Sequence, residues 1–249
     1  YISDNAPSEN HLITANEGSA VALAVGQYLA TGSPSLVYMQ NSGFGNAINP
    51  LLSLADERVY GIPMLVLIGW RGEPGIKDEP QHIKQGDVME EILAACDLPY
   101  EIIDQTVENI FDVIERNVHL AKTKKSPVVL LVKKGTFTAY KLQNTLADIS
   151  GLSRENAIRK VISATGKGDV CVSTTGMPSR ELFEIRVSNN QSHEQDFLTV
   201  GSMGHASMIA LGVAQANPSR RVFCLDGDGA SVMHLGNLTS VGQSGAENF

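Results

Sequence analysis

The sequence predicts an α/β fold class, two consecutive doubly wound parallel-sheet domains, on three observations. Short, wholly apolar runs alternate with longer segments of helical period. Glycine-rich turns stand where the apolar runs end and the helices begin. The pattern lapses once, from Gly135 to Ser150, and then resumes. A chain of 249 residues is long enough for two such domains, and 43% hydrophobic with 18% charged residues is the make-up of a globular protein.

Taken in order, His11 to Ala15 reads as a short strand, and Asn16 as the cap of a helix reaching about Ala30, because a side-chain oxygen there can take an unpaired N–H of the first turn. Ser35 to Met39 is the next strand. The turn from Asn41 to Asn46 leads to a helix from about Ala47 to Ala55. Met64 to Ile68 has no polar member, as expected of a strand covered on both faces. Arg71 to Gln85 is charged and broken by Gly and Pro, so it reads as a long loop, a kind of segment that usually has a function. A helix near Gly86 to Cys96, a strand from Tyr100 to Ile103, a helix from Val107 to Thr123 and a strand from Val128 to Lys133 complete a first domain, residues 1–134. A linker at 135–150 precedes a second domain, 151–249. This one comprises a helix from Arg154 to Thr165, strand Asp169 to Ser173, helix Pro178 to Arg186, strand Phe197 to Val200, helix His205 to Asn217, strand Arg221 to Leu225, and Asp226-Gly227-Asp228-Gly229 opening a helix. The chain starts at Tyr1 and stops at Asn248-Phe249 just after a strand signal begins, so both ends are expected to continue.

Charge narrows the function. A net charge of −8 repels phosphate backbones and anionic lipid, which argues against nucleic-acid and membrane-surface binding. The uncharged stretch from Gly18 to Ala55 is interrupted by polar residues and proline and is not a membrane span. Cys96, Cys171 and Cys224 form no CxxC pair, so a reducing, cytoplasmic setting is expected. His11 and His205 lack partners at metal-ligand spacing, and Lys122, Lys124 and Lys125 suit a helix C-terminus.

In open parallel sheets, ligands sit beyond the carboxyl ends of the strands. The second domain offers three turns there: Thr174-Thr175-Gly176, Gly201-Ser202-Met203-Gly204 and Gly227-Asp228-Gly229. A dinucleotide fingerprint does not fit, since Gly43-Phe44-Gly45 and Gly227-Asp228-Gly229 both lack the third glycine. Gly166-Lys167 is no Walker A motif either. A carboxylate at a phosphate turn makes sense with a cation between the two, so Asp228 reads as a ligand to Mg²⁺.

These turns, with Ala15-Asn16-Glu17-Gly18 ahead of them, resemble thiamine-diphosphate-dependent 2-oxo acid decarboxylases over nearly the whole chain. Within them, the likeness is greatest to those acting on phosphonopyruvate, with those acting on sulfopyruvate next. The resemblance implies a pyrimidine-binding first domain and a diphosphate-binding second one. Glu17 would contact N1′ of the aminopyrimidine, Gly201 and Ser202 its exocyclic amine, and Met203 would support the bent cofactor. Thr174, Thr175 and Gly176 would bind the diphosphate, with Gly227, Asp228 and Gly229 starting the metal motif, whose asparagine pair lies beyond Phe249. The resemblance also implies a homo-oligomer of at least two chains, the first domain of one facing the second domain of another.

The expected chemistry is loss of CO₂ from a small anionic 2-oxo acid, for which the cofactor supplies the electron sink. Proton exchange by Glu17 calls for a carboxyl kept from water, against the pull of the helix N-terminus that favours its charged form. His82, in a loop that could reach the site, is the expected acid that returns a proton. Arg71 and His82, with Lys77 and Lys84 nearby, are expected to meet an anionic tail, and Asn41, Ser42 and Gly43 to meet the substrate carboxylate. Which acid is preferred, phosphonopyruvate, sulfopyruvate or a plain 2-oxo acid, the sequence leaves open.

Overall fold

The computed structural model describes residues 1–143 and 151–249, and the chain divides into two compact units, Tyr1–Thr145 and Leu146–Phe249. The end of the predicted linker, 144–150, lies outside the described residues.

The first unit opens with a single helical turn, α1 (Ile2–Asn5), and then α2 (Glu17–Thr31), where Asn16 accepts the Ser19 N–H as its cap. Strand β1 (Leu36–Gln40) passes through a 3₁₀ turn at Asn41–Gly43 into α3 (Phe44–Pro50) and a π turn at Leu51–Ala55. Strand β2 (Met64–Gly69), α4 (Pro80–Asp87), α5 (Met89–Ala95), β3 (Tyr100–Ile103), α6 (Ile110–Lys124) and β4 (Pro127–Val132) follow. All pairings are parallel, in the order β1-β2-β4-β3. Alternate residues of β2 and β4 explain their apolar runs. Met64, Val66, Ile68, Val129 and Leu131 pack on one face with Val21, Phe44 and Leu93, while Leu65, Leu130 and Val132 pack on the other with Val113 of α6. Each such side chain contributes about 1.5–3 kcal/mol by burial, so these strands hold the sheet.

The second unit contains α7 (Arg154–Ala164), β5 (Val170–Ser173), α8 (Met177–Ser188), β6 (Asp196–Leu198), α9 (Ala206–Ala216), β7 (Val222–Leu225), α10 (Asp228–Met233) and α11 (Asn237–Gln243). Its parallel order is β6-β5-β7. Val170, Val172 and Val222 face α9, whereas Cys171 faces Leu182 and Ile185 of α8 and Ile158 and Ile162 of α7. Both sheets are therefore covered on two faces, as the fold class requires.

Several boundaries differ from the sequence reading, four of them with a local physical reason. His11 to Ala15 is no strand: His11 has extended dihedrals, but the segment joins no ladder among the described residues, and Leu12 and Ile13 are exposed. Helix α3 starts at Phe44 rather than Ala47, because buried Phe44 and Ala47 anchor the glycine-rich turn in helical geometry. The loop from Arg71 ends early, since Pro80 starts α4 rather than breaking it; its missing N–H is needed by no helix at the first turn. The helix expected from Gly86 to Cys96 is interrupted at Val88, between α4 and α5.

Candidate active site

In the first unit the candidate residues gather at the carboxyl ends of β1 and β2. Glu17 opens α2, and its Oε2 accepts a hydrogen bond from Asn46 Nδ2 of α3 at 2.8 Å. Its carboxyl lies directly on Gly43, where any Cβ would overlap it. Asn41 is buried and doubly bonded to the chain after β2, with its Oδ1 accepting the Arg71 N–H and its Nδ2 donating to the Arg71 carbonyl, each at 2.8 Å. Ser42 is exposed and donates to Gln40 Oε1 at 3.2 Å.

Arg71 leads to a second cluster, built on Asp78. The guanidinium donates through Nε at 2.8 Å and Nη2 at 2.5 Å to the two carboxylate oxygens. The same carboxylate accepts the N–H groups of Gly72 and Glu79, at 2.8 and 2.7 Å, and faces His82 Nδ1 at 3.2 Å. The Arg71 guanidinium and these N–H donors hold the Asp78 carboxyl well below the usual carboxylate range. Arg71 is raised in turn by its bond to Asp78. The segment is held close to the sheet: Trp70 Nε1 donates to the Gly86 carbonyl at 3.0 Å, and a Cβ on Gly86 would overlap the Gly72 carbonyl. Lys77 and Lys84 are exposed.

In the second unit the three turns are neighbours because β5 lies between β6 and β7. Thr174 N–H donates to the Leu225 carbonyl at the end of β7, and a Cβ at Gly227 would make ordinary contact with the Thr174 methyl group. Thr175 Oγ1 donates to the Val200 carbonyl after β6, and Thr199 Oγ1 to the Ser173 carbonyl. The Thr174 and Ser173 hydroxyls are buried with no hydrogen-bond partner. Gly176 precedes α8 without a side-chain cap, which leaves first-turn N–H groups of that helix open beside Thr174. Ser202 takes a left-handed φ of 52°, next to half-exposed Met203, and Gly201 begins this turn. The His205 and His234 rings lie 4.6 Å apart, and His234 Nδ1 is buried without a partner.

The residues present fit a phosphate-bearing ligand. An unpartnered buried hydroxyl costs about 1–3 kcal/mol, and an anion at the Thr174 turn would satisfy it together with the open N–H groups of α8. Asp228 stands exposed on α10 and accepts the Gly229 N–H through Oδ1 at 2.8 Å. Among the described residues, no group of three or more His, Cys, Asp and Glu is placed to hold a metal alone. A magnesium ion at Asp228 would therefore draw further oxygens from diphosphate and water, as that ion commonly does.

Asn46 and Asp78 are side chains that the sequence reading assigned no role of their own, and the structure brings them to Glu17 and to Arg71 and His82 respectively. Asn46 had a signal in its place within the glycine-rich turn. Asp78 had one too, an acid two residues before a helix-starting proline.

Residues 2–92 match the thiamine pyrophosphate enzyme N-terminal TPP binding domain, and residues 174–248 match the thiamine pyrophosphate enzyme C-terminal TPP binding domain. The chain belongs to the thiamine pyrophosphate enzyme family. It is 32% identical to phosphonopyruvate decarboxylase of Streptomyces viridochromogenes, over 98% of this chain and 63% of that protein. To the phosphonopyruvate decarboxylase of Streptomyces hygroscopicus it is 34% identical, over 96% of this chain and 61% of that protein. Sulfopyruvate decarboxylase subunit alpha of Methanococcus maripaludis shares 30% identity, over 53% of this chain and 75% of the subunit. The chain thus spans about three-fifths of the length of the two phosphonopyruvate decarboxylases. Among the described residues, no helix is long and apolar enough to cross a membrane.

Proposed function

We propose that the protein is a thiamine-diphosphate- and Mg²⁺-dependent decarboxylase that converts 3-phosphonopyruvate to phosphonoacetaldehyde and CO₂. The observation that carries this reading is the contact chain from Glu17 through Gly43 and Asn41 to Arg71, Asp78 and His82, in a sequence similar over almost all of its length to two phosphonopyruvate decarboxylases. It joins an acid, a cation and a histidine at the carboxyl ends of β1 and β2.

The cofactor, when bound, supplies the electron sink for the breaking C–C bond. Glu17 would exchange a proton with N1′ of the aminopyrimidine, and Asn46 fixes the orientation of its carboxyl. Gly43 leaves room for that carboxyl, which any Cβ there would overlap. Gly201, Ser202 and Met203 receive the ring system, while Thr174, Thr175 and Gly176, with Asp228 through Mg²⁺, hold the diphosphate; Gly227 and Gly229 let the backbone come close. Arg71 takes the anionic tail, Asn41, Ser42 and Gly43 face the substrate carboxylate, and His82 returns the proton that replaces CO₂. The first unit is the pyrimidine-binding half and the second the diphosphate-binding half. The reading includes an oligomer of at least two chains, each site drawing its acid from one chain and its diphosphate turns from another.

Sulfopyruvate is the second reading, supported by the likeness to a sulfopyruvate decarboxylase subunit. Phosphonate carries more charge than sulfonate and calls for the stronger set of donors. Turnover of phosphonopyruvate, sulfopyruvate and pyruvate by the full-length protein, with thiamine diphosphate and Mg²⁺, tests the choice. CO₂ release fastest with phosphonopyruvate is expected. No release from any of the three would refute the enzyme reading and favour a non-catalytic subunit.

A further inference from the structure

Arg71 is the cation that the sequence offers to an anionic tail, yet Asp78 already neutralises it. What the carboxylate takes from Arg71 is one edge only, Nε and one N–H of Nη2. A guanidinium has five N–H donors in a fixed fork, so Nη1 and the second hydrogen of Nη2 stay available on a side chain that is 38% exposed. The same carboxylate meets His82 at Nδ1, on an imidazole whose side chain is only 12% exposed. A carboxylate accepts and never donates, so that contact requires a proton on Nδ1 and leaves Nε2 as the nitrogen for a ligand, an acceptor while the ring is neutral and a donor only once it carries a second proton. Two further N–H donors, from Gly72 and Glu79, fix the carboxylate itself. Among the charged groups here, Arg71, His82 and Glu79 surround Asp78, and Glu79 also acts electrostatically on Arg71. The carboxylate is therefore more rigidly held than either group it orients.

We propose that Asp78 is a positioning residue for substrate recognition: it holds Arg71 by one guanidinium edge, so that the opposite edge receives an anionic substrate tail, and it holds His82 by Nδ1, so that Nε2 is the nitrogen turned to the substrate to take up and return a proton. This rests on the decarboxylase reading for the identity of the substrate, but not for the coupling of the three side chains. Asp78→Asn keeps the shape, loses the charge and puts an NH₂ where one acceptor stood. Asp78→Glu keeps the charge on a longer arm.

The test uses the full-length protein in two arms. In the first, ¹⁵N NMR of labelled histidines reads the His82 tautomer without any turnover, with His82→Gln to assign the signal. The Nδ1–H form is expected in the parent chain and a mixed or Nε2–H population in Asp78→Asn. An Nε2–H tautomer in the parent chain would overturn the proposal, even if the variant failed to fold. In the second, KM for phosphonopyruvate is expected to rise about tenfold or more in Asp78→Asn, with partial recovery in Asp78→Glu and thermal midpoints close to the parent. Unchanged KM and kcat in a folded Asp78→Asn would also overturn it. If the parent chain turns over no 2-oxo acid but shows an Asp78-dependent Nδ1–H tautomer, the decarboxylase reading fails while the side-chain coupling stands.

Discussion

The two units arrange their candidate residues in different ways. In the first, polar side chains bind one another: Asn46 holds Glu17, Asn41 holds the Arg71 backbone, and Asp78 gathers Arg71, Gly72, Glu79 and His82. In the second, the backbone shapes three adjoining turns and leaves the Thr174 and Ser173 hydroxyls buried without partners. Groups that must move protons or choose a substrate need fixed orientation, and side-chain networks give it. A diphosphate brings many acceptors of its own, so a turn need only keep donors open to it.

The largest effect should come from the first unit. Glu17→Gln is expected to lower kcat by about 10²- to 10⁴-fold with cofactor affinity nearly unchanged, the usual scale for loss of a proton-transfer group. Asp228→Ala should do the reverse, removing Mg²⁺-dependent cofactor retention, as measured by calorimetry with and without the metal. A fully active Glu17→Gln variant would break the division of labour. Gly86→Ala is the next largest, because its Cβ would overlap the Gly72 carbonyl, which is backbone and cannot rotate away. A loss of about 1–3 kcal/mol is expected, read as a fall of several degrees in thermal midpoint. An unchanged midpoint would show that the Asp78 segment is looser than its bonds indicate.

Thr174→Val sharpens the contrast from the other side. Removing an unpartnered buried hydroxyl should leave the ligand-free midpoint unchanged or raise it, while weakening thiamine diphosphate binding by roughly tenfold or more. The same change at a satisfied position would lower both. If the ligand-free midpoint falls and the affinity holds, the Thr174 hydroxyl serves the fold instead. The smallest effect concerns the thiols. Burial pushes Cys171 up to about 11 and Cys224 up to about 12, so both stay protonated and unreactive at neutral pH. A disulfide reagent should label them slowly until denaturant is added, and fast labelling of the folded protein would contradict their burial.

Some of this arrangement was legible in the residues alone. Met64 to Ile68 and Val128 to Val132 could only be strands covered on both faces, because nothing in them tolerates water, and Asn16 announced the start of α2 through its capping oxygen. The glycine-rich turns declared themselves by what they lack. The starts of α3 and α4 did not: Gly43 and Pro80 read locally as breaks, and only the packing of Phe44 and the placement of proline at a first turn made them helical. Asp78 was visible as one acid among several in a charged stretch. That it is the partner of Arg71 and His82 depends on a turn of chain that brings Gly72 against Gly86, which no local pattern encodes.

By itself, then, the sequence determined the alternation of strands and helices, the two-sided burial of the sheets and the kinds of turn at the strand ends, since hydrophobic period and backbone freedom act over a few residues. Which side chains meet at those ends, Glu17 with Asn46 and Asn41 with the chain at Arg71, was decided only by the tertiary structure. Contacts between residues distant along the chain exist only once the sheet has set the spacing between its strands, and hydrogen bonds of under 3.5 Å depend on that spacing.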